Sequence, residues 1–422
     1  MKIRCKQRRY EEVMSLTPMQ HKKPMKQSFF FRLLLRVASI PDLLVTRFSV
    51  KRIGMDKIGR RERCLVLMNH SAFIDLEIAS TLLFPRPFNV VCTSDGFVGK
   101  NWLMRMLGCI PTKKFIFDFG LIRDMKYAVK ELKSSILLYP EASYSFDGTA
   151  TPLPETMGQL VKMLGIPVVM IRTYGAFARQ PLYNNLKKRR VRVSADMTCL
   201  LSADEIGQKS ADEINALLGE QFGFDHFRWQ REERVRIDEP YRADFLHRVL
   251  YKCPVCLTEG RTEGKGVRLT CHACGATWNL DEYGALQGDG GFDHVPDWYA
   301  WERECVRREL AEDSYRLDCE VDIFMMVDTK CVYRVGEGRL MHTKDGFSLT
   351  GCDGALQYTQ KAIASYSLYS DFYWYQIGDV ICIGNQKALY YCFPKDSAVS
   401  VAKARLAAEE LYRLVKREKS KV

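Results

Sequence analysis

Acid and long apolar runs are both scarce in this chain. Its 51 aspartates and glutamates face 63 lysines and arginines, a net charge of +12 over 422 residues. The most apolar amino-terminal stretch, Phe29-Phe30-Phe31-Arg32-Leu33-Leu34-Leu35-Arg36-Val37-Ala38, is cut by two arginines and followed by Pro41 and Asp42. That is too short and too interrupted for the roughly 20 apolar residues a bilayer-crossing helix needs. There is no secretory signal, no internal repeat and no low-complexity tract. Without a secretory signal, most of the fifteen cysteines, scattered singly in apolar runs (Cys64, Cys92, Cys199, Cys382 and Cys392 among them), are expected to be reduced core thiols in a cytosolic setting, not disulfides.

What is present reads as globular: 47% hydrophobic and 27% charged residues, in a chain long enough for two or three domains. The positive charge is uneven. Residues 1–52 carry thirteen Lys or Arg against three acids, and Lys187-Lys188-Arg189-Arg190-Val191-Arg192 forms a second cluster. Aromatic and leucine residues mixed with arginines over 29–38 suit a helix lying in the interface of an anionic membrane, each nearby basic residue contributing about 1 kcal/mol. An ordinary amphipathic helix packed on the domain is the competing expectation. A nucleic-acid partner is the weaker reading of the charge, since no stacking aromatics are interleaved with it.

The most informative segment is Leu65-Val66-Leu67-Met68-Asn69-His70-Ser71-Ala72-Phe73-Ile74-Asp75. An apolar strand ends at a histidine, and an aspartate follows across a tight turn. Such an Asp75 can hold the ring of His70 and support its imidazolium while the free nitrogen takes a proton from a hydroxyl. Ser71 is the less attractive nucleophile. Neighbouring side chains of an extended segment point opposite ways, and no Gly-x-Ser-x-Gly elbow is present. A surface histidine followed by a helix-capping aspartate is the bland alternative.

Asn69-His70-x4-Asp75 resembles the first motif of the glycerolipid acyltransferases, the lysophosphatidic-acid acyltransferase family. Later blocks follow in order: Gly108-Cys109-Ile110-Pro111-Thr112-Lys113-Lys114, then Tyr139-Pro140-Glu141-Ala142-Ser143-Tyr144-Ser145 at the family's Phe-Pro-Glu-Gly-Thr-Arg-Ser, then Gly165-Ile166-Pro167-Val168-Val169-Met170-Ile171. The likeness spans about residues 50–220. It implies transfer of an acyl group from a thioester, acyl-coenzyme A or acyl-carrier protein, to the hydroxyl of a lysophospholipid. The acceptor implied is 1-acyl-glycerol-3-phosphate, giving phosphatidic acid, with His70 as base and Asp75 orienting it. Lys113, Lys114, Glu141 and Ser143 are the implied substrate-binding residues, with Arg123 as a further anion binder. The third block departs from the family at Ala142, where a glycine is usual, and at Tyr144, where an arginine is usual. A tyrosine does not reproduce an arginine's bidentate grip on phosphate, which bears on the acceptor more than on the chemistry. The resemblance places the protein at the cytosolic face of a membrane, peripherally bound.

Beyond about residue 225 the character changes. Cys253-Pro-Val-Cys256 and Cys271-His-Ala-Cys274, fourteen residues apart, predict a structural Zn²⁺ held by four thiolates in a ribbon with a hairpin between the knuckles. His272 is expected to stay outside the ligand set. Residues 278–291 read as a loop or linker. Runs rich in β-branched and aromatic residues follow from Val321 to Phe393, then a helix over Ala398–Lys416, which together resemble a pleckstrin-homology-like barrel. Tyr366, Tyr369, Tyr373 and Trp374 are read as core and strand-pair residues.

The expected fold is therefore α/β, a mixed sheet flanked by helices, followed by a small zinc ribbon and a carboxy-terminal β-barrel-like module capped by a helix. The expected domains are 1–50 (basic, membrane-associating), 51–225 (acyltransferase), 245–285 (zinc ribbon) and 295–420 (all-β module). Other functions stay open: an acyltransferase for a different lipid acceptor, a catalytically weak lipid-binding scaffold, or a zinc-ribbon protein associated with nucleic acid.

Overall fold

The structure, a computed structural model, describes residues 2–59, 61–116 and 118–419. The amino-terminal stretch is not one segment. It contains strand β1 (Cys5–Gln7), helix α1 (Tyr10–Met14) and helix α2 (Phe29–Val45). Ser28 starts α2 by accepting the Phe31 N–H, an N-cap that satisfies one of the helix's orphan donors. The helix runs through Pro41 and Asp42 instead of stopping there. No helix among the described residues is long and apolar enough to cross a membrane.

The α/β domain comprises β2 (Ser49–Ile53), β3 (Leu65–Met68), α3 (Ile74–Leu83), β4 (Phe88–Thr93), α4 (Asn101–Met106), β5 (Cys109–Thr112), α5 (Phe119–Lys130), β6 (Ser135–Leu138), α6 (Met157–Leu164), β7 (Val168–Tyr174), α7 (Ala176–Arg179), β8 (Ser194–Leu201), α8 (Ala203–Gln208), α9 (Ala211–Phe222) and α10 (His226–Glu232). The seven strands lie in the order β2-β8-β7-β3-β6-β4-β5. All neighbours are parallel except β7 and β8, so the sheet is mixed. β3 is central and every one of its residues is buried, the pattern of a strand covered on both faces. Leu43 of α2 and Ile74, Ile78 and Leu83 of α3 pack on one face. Met125, Val129, Val161, Ile214 and Leu218 from α5, α6 and α9 pack on the other. β8 begins at Ser194. Before it the chain is held by other partners: Arg189 N–H donates to Arg179 O and Val193 N–H to Thr46 O.

Next come β9 (Thr262–Lys265), β10 (Arg268–Cys271), β11 (Thr277–Leu280) and β12 (Leu286–Gly288), an antiparallel sheet ordered β12-β11-β10-β9. The expected linker over 278–291 is thus partly strand. Trp278 is buried against Trp298, ring centroids 4.8 Å apart, and burial of an aromatic overrides the glycine-rich composition. After α11 (Val295–Ala311) come β13 (Leu317–Met326), β14 (Val332–Thr343), β15 (Gly346–Gly351), β16 (Leu356–Lys361), β17 (Tyr369–Trp374), β18 (Gly378–Gly384), β19 (Leu389–Pro394) and α12 (Val401–Lys419). These seven strands form an antiparallel sheet ordered β16-β15-β14-β13-β19-β18-β17, and β1 adds to it in parallel beside β14. Ala404, Ala407 and Leu411 of α12 are buried in the shared core, whereas Leu414, one turn on, is 40% exposed.

Candidate active site and metal centre

His70 stands just beyond the carboxyl end of β3. The preceding Asn69 ties that end to β7: its Oδ1 accepts from Thr173 N–H at 2.8 Å and Thr173 Oγ1 at 3.2 Å. The turn into α3 then brings Asp75 back, with His70 Nδ1 3.2 Å from Asp75 Oδ2. The same oxygen accepts the backbone N–H groups of Ser71 at 2.7 Å and Ala72 at 3.0 Å. Asp75 is fully buried in the first turn of α3, where the helix dipole favours its charge. A carboxylate only accepts, so Asp75 places the imidazole proton on Nδ1 and leaves Nε2 unprotonated. Nε2 has no hydrogen-bond partner among the described residues, and the His70 side chain is 24% exposed. Ser71 Oγ lies 3.5 Å from His226 Nε2 instead of facing His70.

The rest of the His70 environment comes from the third block. Tyr139 stacks on the imidazole at 4.0 Å between centroids, and Tyr144 approaches it at 4.4 Å, tilted by 52°. Burial lowers the His70 pKa below its ordinary 6.5, Asp75 pulls it up, and the Lys114 charge lowers it further. The ring is therefore neutral, and basic, at neutral pH. Glu141 is buried, with one oxygen accepting His70 N–H at 3.0 Å and the other Thr151 N–H at 2.9 Å. Burial pushes it up to about 7, against those two N–H bonds and the nearby Arg405. It braces the His70 backbone. Ala142 adopts φ 57°, the left-handed region that favours glycine, so the turn of the block survives the loss of its glycine.

The two lysines of the second block part company. Lys114 Nζ lies 4.3 Å from the Tyr369 ring centroid, on the His70 side. Lys113 donates to the carbonyls of Asn385, at 3.4 Å, and Gln386, and with Arg123 lines an outer cavity. Ser143 accepts from Arg405 Nη2 at 2.9 Å. These contacts reveal what sequence reasoning missed: the β-module forms a wall of the site. Asp95, just after β4, accepts Tyr369 OH at 2.5 Å and Trp374 Nε1 at 3.2 Å, and Phe146 stacks on Phe372 at 4.3 Å. No local motif marks Arg405, Tyr369 or Asp95. Only the folded chain brings them together.

In the ribbon, the four sulfurs of Cys253, Cys256, Cys271 and Cys274 lie within 4.8 Å of one another. Cys253 and Cys274 are 3.8 Å apart, Cys256 and Cys271 3.7 Å. Zinc with sulfur at about 2.3 Å in a tetrahedron separates its ligands by about 3.8 Å, so the donors fit such an ion. His272 is exposed and paired with Glu263 at 2.9 Å. None of the fifteen cysteines is in a disulfide.

Residues 49–173 match the model of the Acyltransferase family. The matched stretch spans β2 to most of β7 and contains His70, Asp75, Lys113, Lys114, Glu141 and Ser143. A solved structure similar to part of it is the 1-acyl-sn-glycerophosphate (LPA) acyltransferase PlsC from Thermotoga maritima, at 16% identity, covering 45% of this chain and 76% of that one with a TM-score of 0.34.

Proposed function

We propose that the protein transfers a fatty acyl group from a thioester donor to the hydroxyl of a lysophospholipid, 1-acyl-glycerol-3-phosphate being the leading acceptor. The observation that carries this reading is the His70–Asp75 pair, an oriented and neutral imidazole with a free Nε2 at the carboxyl end of a central strand, where α/β sheets hold their ligands. Nε2 removes the acceptor's hydroxyl proton as that oxygen attacks the thioester carbonyl; the carbon–sulfur bond breaks and the thiolate leaves. Asp75 supports the imidazolium in between. Lys114, on the His70 side, suits the acceptor's phosphate in place of the arginine that Tyr144 replaces.

Membrane association is part of the proposal. Phe30, Leu33, Leu34, Val37, Ile40 and Leu44 of α2 are exposed by 42–71%, and Arg32 and Arg36 lie among them. Such a face suits shallow insertion into an anionic leaflet at the cytosolic side. We read the four thiolates as a closed zinc site, which holds the ribbon and leaves no position for substrate, and the tail's strand order and final helix as pleckstrin-homology-like.

The test is mass-spectrometric detection of acylated lysolipid from wild type and His70→Ala with acyl-coenzyme A or acyl-carrier protein and liposomes. Product from wild type alone supports the assignment. Equal product from both, or none from folded, zinc-loaded wild type with either donor across a panel of lysolipids, would overturn it.

A further inference from the structure

At the β5 edge of the sheet, a cavity of about 560 Å³ lies between the amino-terminal arm, α4, the start of α5 and the β18–β19 hairpin. Four cationic side chains line it: Lys22, Arg105, Lys113 and Arg123. Two acids, Asp118 and Asp124, share the lining. Asp124 is held by His21 at 2.8 Å, and Asp118 caps α5 by accepting the Gly120 N–H at 2.7 Å. Lys22 and Arg123 enter no ion pair among the described residues and are exposed. A concave site with unspent positive charge attracts a polyanion. Phe119, 78% exposed, lines it too, and an exposed aromatic face beside cations suits a stacked base.

The position relative to His70 narrows the ligand. β3, β6, β4 and β5 are successive parallel neighbours, so the ends of β3 and β5 are three strand spacings, about 14 Å, apart on one edge of the sheet. Lys113 and Lys114 directly follow β5 and serve different sides, Lys114 the His70 chamber and Lys113 this cavity. We infer that the cavity binds the nucleotide phosphates of a coenzyme A thioester, Lys22, Arg105, Lys113 and Arg123 holding the phosphates and Phe119 the adenine, with the pantetheine arm running along the strand ends to His70. The inference rests on the acyl-transfer reading for its ligand and not for its charge.

Calorimetric titration of the full, zinc-loaded chain with coenzyme A, 3′-dephospho-coenzyme A and pantetheine tests it without turnover. The expected order of affinity is coenzyme A, then the dephospho form, with pantetheine weakest. Lys22→Glu with Arg123→Glu should weaken coenzyme A at least about tenfold and raise the KM for acyl-coenzyme A similarly. Lys130→Glu with Lys361→Glu, exposed residues outside the cavity, carries the same change in net charge and should leave binding as it was. Equal weakening by both pairs, no preference for the phosphorylated compounds, or reaction with acyl-carrier protein but no binding of coenzyme A would each overturn the inference. Cavity-dependent binding of coenzyme A in a protein that acylates nothing would uphold it and remove the acyltransferase reading instead. Acyl transfer from acyl-coenzyme A with unchanged KM in Lys22→Glu/Arg123→Glu would do the reverse.

Discussion

Arg405 of the last helix donates from Nη2 to Ser143 Oγ at 2.9 Å, across 262 residues of chain. Its Nε lies 3.3 Å from Glu409 Oε1, while Nη1 is buried with no hydrogen-bond partner among the described residues. A guanidinium from the β-module therefore touches the Tyr139–Ser145 block beside His70. Arg405→Ala should cost about 3 kcal/mol, the scale for breaking a buried charge pair, read as a lower urea midpoint. It should also reduce turnover, because Ser143 and the loop bearing Glu141 lose their brace. Full activity in this variant would separate the module from catalysis.

Removing the base should be specific. His70→Ala is expected to lower kcat by about 10²–10⁴-fold, the range for positioned base catalysis, with a melting temperature close to wild type because the side chain is partly exposed.

The pH profile follows from the sign of the shift. The proposed base mechanism needs neutral His70, and burial lowers its pKa below 6.5. Activity, measured as kcat/KM, should thus be lost as pH falls through a midpoint below 6.5 and be level above neutrality. A midpoint at about 7 that disappears in Glu141→Gln would assign the acid limb to Glu141.

Ala142 occupies a left-handed position at a cost of about 1 kcal/mol for a residue with a Cβ. Ala142→Gly should raise stability by up to that amount in denaturant unfolding, with the His70 environment unchanged.

Chelation tests the ribbon. On the proposed zinc reading, a chelator or Cys256→Ser should release one zinc equivalent by elemental analysis and loosen the packing of Trp278 on Trp298, visible as loss of near-ultraviolet circular dichroism. Closed structural zinc sites contribute folding free energy directly.

Much of this site could be read before any coordinates. The strand ending at His70, the turn to Asp75 and the two cysteine knuckles are local patterns, set by hydrogen bonds and spacings a few residues long. Residues 278–291 misled because a glycine-rich composition reports turns and is silent about what a buried tryptophan packs on.

What the sequence determined by itself was the chemistry on offer: an imidazole with its carboxylate, four thiolates, an excess of cations and an apolar helix face. The tertiary structure alone decided which of these meet. It separated Lys113 from Lys114, turned both oxygens of Glu141 to backbone N–H groups, and set Arg405, Tyr369 and Trp374 against a domain more than two hundred residues earlier. Those contacts depend on the packing of whole sheets and helices, and packing between distant elements leaves no period or spacing in the chain from which to read it.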